Sequence, residues 1–269
     1  KQGANNKKGE ISISEIRSGW RDTPGAWNDG FFNGNNGNYG IAEIKISQPN
    51  FKISDTIPLE LKSDWTKVFI DQYDFNTRPS DIEINNEDQI YVLGIKNGDL
   101  NDQSTVGDSN AFISKYNSFG DTLWTKLIGS SQFDEGTAID ISDDNSVYIL
   151  GNTAGNLNGV ENKGDYDIFL SKYNSNGEEK WTEFIATNSS DIAGDIVVTK
   201  DNSILITGSA GGDSFIGKYD FFGNNILTEF LGGNKNKIPR FLTLASDDSI
   251  YVSGATNGDV FLTKLNNEL

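Results

Sequence analysis

The chain contains no cysteine, no methionine and no histidine in 269 residues. No disulfide forms without cysteine, and neither thiolate nor imidazole is present to ligate a metal. Ser–His and Cys–His nucleophilic catalysis are excluded for the same reason. Long apolar runs are missing as well. Nothing approaches the roughly 20 apolar residues of a membrane span, so membrane insertion is not expected. Positive charge is scarce: 22 Lys and Arg face 39 Asp and Glu, a net charge of −17. Such a surface repels phosphate backbones, which removes nucleic acid from the expected partners. It suits a secreted protein or one that meets cations. The chain opens on Lys1 with no Met and no signal peptide, so we expect a mature form or a piece of a larger chain or assembly. Residues 1–10 read as a flexible polar tail.

What is abundant is glycine, at 29 residues, and aromatic side chains, with 16 Phe, 9 Tyr and 5 Trp. Proline is sparse at 5. Many tight turns and an aromatic core point to an all-β fold. No stretch holds a helical period of 3.6 over a useful length.

One phrase returns. NAFISKYNSFG runs from Asn110 to Gly120, DIFLSKYNSNG from Asp167 to Gly177, DSFIGKYDFFG from Asp213 to Gly223 and DVFLTKLNNEL from Asp259 to Leu269. A worn copy, GIAEIKIS, begins at Gly40. The shared lysines are Lys45, Lys115, Lys172, Lys218 and Lys264, the last four spaced by 57, 46 and 46 residues. Before each clear copy comes a polar turn, a β-branched or aromatic run and a glycine: EDQIYVLG, DNSVYILG, DNSILITG and DDSIYVSG. That is a turn leading into a strand. A Trp-Thr-Lys-like strand follows the lysine strand, and a strand such as SDIEI (from Ser80) or TAIDIS (from Thr137) precedes the turn.

Four short strands repeated at this length are the pattern of a β-propeller blade. One thin sheet cannot bury both faces, whereas neighbours packed around an axis bury each other. The lysine count predicts five four-stranded blades in a single domain over residues 11–269, at roughly 11–63, 64–122, 123–179, 180–225 and 226–269. The last copy stops where its Trp-Thr-Lys strand would follow. The strand-like ISISEI, Ile11 to Ile16, is therefore expected to close the ring from the N-terminal end.

These segments resemble the bacterial β-propeller repeat family often abbreviated SBBP. The matching phrases are Asn-Ala-Phe-Ile-Ser-Lys-Tyr-Asn-Ser-x-Gly, Leu-Trp-Thr-Lys and Asp-x-Ser-Val-Tyr-Ile-Leu-Gly. The likeness covers residues 64–269 well and 25–63 poorly. It implies an extracellular or cell-surface module of a bacterial protein and carries over no catalytic residue.

Three groups of residues invite chemistry. The long loops NGDLNDQSTVGDSNAF (from Asn97) and AGNLNGVENKGDYDIF (from Ala154) are rich in Asp, Asn and Gly. Oxygen ligands on a flexible backbone suit Ca²⁺, which makes Asp99, Asp102, Asp108, Asp165 and Asp167 the candidate ligands and calcium the one candidate cofactor. The plain alternative is ordinary turn chemistry, and no D-x-D-x-D-G loop is present. The second group is Glu83 and Asp140, with Asp81 and Asp195, a carboxylate set of the kind a glycosidase uses. Solvent-facing repeat positions are the alternative. The third is Trp20, Trp27, Phe31 and Phe32, aromatics outside the repeat that suit a glycan or protein surface. The repeated lysines read as exposed strand positions paired with acids, and Trp65, Trp124 and Trp181 as core. The reading that results is a non-catalytic extracellular recognition or scaffold module for a protein or glycan, with calcium as a stabiliser. A carboxylate-dependent carbohydrate hydrolase or lyase, and a structural subunit of a surface layer or appendage, stand as alternatives.

Overall fold

The computed structural model describes residues 77–265 apart from 100–103, 105–106, 108 and 233–236, together with the backbone of 16–17 and 43–44. The chain divides into two compact units, Lys1–Thr66 and Lys67–Leu269. In the first, β1 (Ile16–Arg17) pairs antiparallel with β2 (Glu43–Ile44). Ile16 belongs to the segment expected to close a ring, and Ile44 pairs with one of its two edges; Ile11–Glu15 lie outside the described residues.

The second unit is all β among the described residues. Sheet I holds β3 (Arg78–Ile84), β4 (Ile90–Lys96), β5 (Asn110–Tyr116) and β6 (Thr122–Ile128). Sheet II holds β7 (Asp134–Ile141), β8 (Val147–Thr153), β9 (Asp167–Tyr173) and β10 (Glu179–Ile185). Sheet III holds β11 (Ile192–Val198), β12 (Ile204–Ala210), β13 (Asp213–Tyr219) and β14 (Asn225–Phe230). Sheet IV has three strands, β15 (Lys237–Leu244), β16 (Ile250–Thr256) and β17 (Asp259–Leu265). Every pairing is antiparallel and sequential, a propeller-like succession of meanders. The described residues form four such sheets rather than five blades, and the expected partition is shifted. The Trp-Thr-Lys strand, read as opening a blade at residues 123 and 180, instead closes the sheet before it. The turn Asn117–Gly120 makes it a hairpin partner of the lysine strand, with Gly120 N–H donating to the Asn117 carbonyl at 3.0 Å.

The turn-and-glycine motif has a mechanical reason. In each first turn an Asp or Asn takes the left-handed conformation: Asp88, Asn145, Asn202 and Asp248 have φ of 57, 62, 62 and 60°. These side chains tolerate that region better than most. The glycine that ends the motif faces a bulge in the first strand, as between Pro79 and Asp81 or Gly136 and Ala138. A Cβ at Gly94, Gly151, Gly208 or Gly254 would lie 2.1–2.5 Å from a first-strand carbonyl oxygen. The bulge deepens the twist of the first strand, and only glycine admits the approach.

The core lies between successive sheets. Tyr91, Leu93 and Ile113 of sheet I pack with Ile139, Ile149 and Phe169 of sheet II. Tyr148, Leu150 and Leu170 on the opposite face of sheet II pack with Ile196, Ile206 and Phe215 of sheet III. Leu205 and Ile216 then meet Leu242 and Val252 of sheet IV. A sheet covered on both faces needs no polar alternation, and all seven positions of β5 and of β9 are buried.

One cross-strand row locks each sheet to the next. In sheet I it runs Glu83–Tyr91–Lys115–Trp124, and in sheet II Asp140–Tyr148–Lys172–Trp181. Two of the repeated lysines are not exposed as expected, Lys115 and Lys172 being 5% and 3% accessible, whereas Lys218 is half-buried and Lys264 is exposed. The Lys115 and Lys172 ammonium groups each lie 5.1 Å from the ring centre of their row's tyrosine. Lys115 Nζ and Trp124 Nε1 both donate to the Ser175 carbonyl in the last turn of sheet II, each at 3.0 Å. Trp181 Nε1 donates to the Phe221 carbonyl in the matching turn of sheet III at 3.3 Å. A buried cation over an aromatic face with a carbonyl acceptor is a satisfied charge.

Candidate functional site

The acids singled out as a catalytic set sit on the first strand of their sheets, Asp81 and Glu83 on β3, Asp140 on β7 and Asp195 on β11. Three of them are clamps. Asp81 accepts its own strand's Ile82 N–H at 2.8 Å and the Ile139 N–H of sheet II at 2.9 Å. Asp140 accepts Ile141 N–H at 2.7 Å and the Val198 N–H of sheet III at 2.6 Å. Asp195 accepts Ile196 N–H at 2.9 Å and the Leu242 N–H of sheet IV at 2.7 Å. Each carboxylate thereby satisfies a first-strand backbone donor of the following sheet. Burial raises the Asp140 and Asp195 carboxyls despite these bonds. Glu83 is also raised, first by burial and next by the charge of Asp140, with Asp81 and Asp195 adding to it. The four acids therefore share one field. Glu83 differs in its contacts: it accepts the adjacent Ile84 N–H at 3.3 Å and, among the described residues, binds no neighbouring sheet.

Of the candidate calcium ligands, Asp99 and Asp165 are exposed on loops of different sheets. Asp102 and Asp108 lie outside the described residues, as do Trp20, Trp27, Phe31 and Phe32. Asp167 is fully buried and accepts the Lys163 N–H at 2.6 Å, while its Oδ1 has no hydrogen-bond partner. It lies beside Asp191, itself held by Thr187 and by the Gly211 N–H at 2.7 Å. The same corner of the preceding junction holds Asn110 beside Asp134, an amide that donates to the Ser109 carbonyl at 3.2 Å in place of a second carboxylate. Burial, and then the Asp191 charge, push the Asp167 carboxyl up. Among the described residues no three acids are grouped so as to hold a metal ion.

Two of the concavities among the described residues lie between sheets. One, of about 320 Å³, is lined by Lys172, Trp181, Phe221 and Phe222 between sheets II and III. The other, of about 300 Å³, lies between sheets III and IV, with Leu205, Leu244 and Ile250 below and Lys200, Asp201, Lys218 and Asp248 around it. Motif reading passes over this second site because its residues are ordinary repeat positions, Asp201 and Leu205 of DNSILITG, Asp248 and Ile250 of DDSIYVSG and Lys218 of the lysine phrase, which read as turn and strand. The available signal is negative: sheet III's row reads Val197–Leu205–Lys218–Leu227, without the acid, Tyr and Trp of the two before it.

No family model matches the chain. A stretch of 115 residues is 33% identical to the regulatory protein FlaEY of Caulobacter vibrioides, covering 40% of this chain and 12% of that protein. The chain thus spans about an eighth of that curated relative. Among solved structures, a protein of unknown function from Bacteroides caccae superposes with a TM-score of 0.45 at 10% identity, covering 72% of this chain and 62% of the other. The GH43 protein BlXynB of Bacillus licheniformis superposes with a TM-score of 0.40 at 15% identity, covering 69% and 38%.

Proposed function

We propose that the chain is a non-catalytic recognition or scaffold module of an extracellular or cell-surface protein, a β-propeller that holds a protein or a glycan. One observation carries this reading. Asp81, Asp140 and Asp195 each accept a backbone N–H from the following sheet. A carboxylate held in that way is a poor general base or nucleophile, because its oxygens are turned to backbone donors and not to a substrate. The acids that resemble a catalytic set serve the assembly of the sheets. Asp140→Asn places an amide against backbone donors, and we expect a loss of about 2–3 kcal/mol, read as a lower melting temperature. We expect wild type to release no reducing ends from a panel of polysaccharides. Release by wild type that Asp140→Asn abolishes without lowering the melt would overturn the reading.

The carbohydrate hydrolase remains a second reading because of Glu83. Its raised carboxyl and freedom from an inter-sheet bond suit a general acid. Glu83→Gln separates the two: a hydrolase loses turnover, and a scaffold gains stability as repulsion among the four acids falls.

For the ring we infer five blades closed by an N-terminal strand. Sheet IV lacks a fourth strand among the described residues, and its outer face leaves Phe241, Val260 and Leu262 exposed. On sheet I, Ile82 and Ile84 are each 59% accessible. Apolar groups of this kind favour a cover. Deleting residues 1–18 is expected to lower the melting temperature by many degrees, and an unchanged melt excludes the closure.

A further inference from the structure

The concavity between sheets III and IV lies where the repeat changes its composition. At the two preceding junctions the row facing the next sheet holds a phenol, an ammonium and an indole, Tyr91–Lys115–Trp124 and Tyr148–Lys172–Trp181. The rings are coupled edge to face or tilted, with centroids 6.0 and 6.1 Å apart. Sheet III keeps the ammonium, Lys218, and replaces both rings with leucine, Leu205 and Leu227. Leu205, in the tyrosine's place, and Lys218 line a space of about 300 Å³, with Leu244 and Ile250 of sheet IV across from them; Leu227 does not reach it. A dry cavity of about 150 Å³ is enough to take up benzene, so a bicyclic ring fits here.

The rim changes as well. Between sheets I and II, Asn145 bridges two groups of the neighbouring turn: it accepts from Asn85 Nδ2 at 2.8 Å and donates to Glu87 Oε1 at 3.0 Å. Its counterpart in sheet IV is Asp248, with the same left-handed backbone, φ 60° against 62°. Asp248 faces the turn that carries Asp201, whose carboxyl is held below its ordinary range by Thr199 and Ser203, with a contribution from the Lys218 charge. The amide donor of the earlier junction is thus replaced by a second acceptor. The site offers an apolar floor, a cation placed as in the aromatic rows, and two carboxylates at the edge.

We propose that this pocket receives the indole of a tryptophan presented by a polypeptide partner. The ring takes the place of the missing Tyr beside Lys218, and its N–H, which only donates, reaches the Asp201–Asp248 edge. Two lysines and two aspartates balance around the mouth, which suits the neutral peptide on either side of the indole. The proposal rests on the recognition-module reading and names the partner chemistry of one site. It can fail while that reading stands, because a binding partner found elsewhere on the surface would leave this pocket unshifted.

The experiment is an amide-resolved NMR titration of the full chain with N-acetyl-tryptophanamide, and with N-acetyl-leucinamide and free indole as comparisons. We expect saturable shifts at Asp201, Leu205, Asp248 and Ile250 with the tryptophan amide and none with the leucine amide. The variant Leu205→Tyr, which refills the pocket with the tyrosine of the other rows, is expected to melt higher and to lose the shifts. Lys218→Met, which keeps the cavity open, is expected to bind several-fold more weakly. No shift with wild type, or equal affinity in Lys218→Met and in the refilled variant, overturns the proposal. Binding of indole without binding of the tryptophan amide overturns the peptide source.

Discussion

At residue 167 the chain places an aspartate where the preceding junction uses Asn110. The difference is one proton donor. Asn110 sets a neutral amide beside the Asp134 carboxylate and donates to the Ser109 carbonyl, whereas Asp167 confronts Asp191 with an Oδ1 that has no partner. Its native carboxyl is raised above the ordinary 3.8 by burial first, and repulsion from Asp191 adds to this. A carboxyl raised on folding contributes stability that is complete below its unfolded value and lost as pH rises through the native one. Asp167→Asn removes this loss and restores the amide donor. We expect a gain of about 1–3 kcal/mol at neutral pH, shrinking as the pH approaches 4 and wild type becomes protonated. A calorimetric melt across that range checks it, and a variant less stable than wild type at neutral pH would sink the account. Repeating the melt in EGTA and in millimolar calcium decides the calcium reading of this loop. An ion bound only to the folded state raises the wild-type midpoint and leaves Asp167→Asn unmoved.

At the scale of the element, the glycine opposite the bulge decides whether the first strand of the sheet keeps its shape. A Cβ at Gly151 would lie 2.3 Å from the Glu135 carbonyl oxygen and 2.4 Å from Phe169 Cζ. Backbone cannot yield there as a flexible side chain would, so Gly151→Ala is expected to destabilise by roughly 3 kcal/mol or more, in the range of overpacked core positions. Gly159 has nothing within 4 Å of its added Cβ, but its φ of 83° strains alanine by about 1–2 kcal/mol. A urea titration in which the two variants lose equal stability would refute the close-approach explanation. The strands themselves were legible: EDQIYVLG, DNSVYILG and the lysine phrase all fall on strands. Sheet membership was misread because a repeat is periodic and has no marked first strand. The signal that resolves it is the tight Asn-Ser-x-Gly turn between the lysine and Trp-Thr-Lys strands, which makes those two a hairpin. Lys115 and Lys172 were misread for a different reason. Alternation assigns a charge to the wet face of a strand, and these sheets have no wet face at that row. The acid set was legible as a column, but its use was not, because a backbone donor on the next sheet leaves no trace in side-chain spelling. The pocket beside Leu205 was visible only as two aromatic rings missing from a repeated row.

Across the whole molecule the charge of −17 and the inner acids act on stability in the same direction, and salt tells them apart. Glu83, Asp134, Asp140, Asp167 and Asp195 are all raised, with burial the largest cause in each. Their ionisation lowers stability as pH climbs above the ordinary carboxylate values of 3.8 and 4.5. Asp144, Asp201 and Asp247 are lowered by hydrogen bonds in their turns. Their contribution is present above 3.8 and is lost as pH falls through their native values. The two sets together place the maximum of stability near the ordinary carboxylate values, with the melting temperature falling from there toward neutrality. Repulsion between exposed carboxylates is screened within a Debye length of about 8–10 Å at moderate salt, whereas buried groups are screened far less. We therefore expect most of the gain on acidification to survive high salt, since it comes from carboxyls raised by burial. A gain that disappears in high salt would assign the effect to the acidic surface. It would also remove the electrostatic argument for Glu83 as the one acid in this field still available for chemistry.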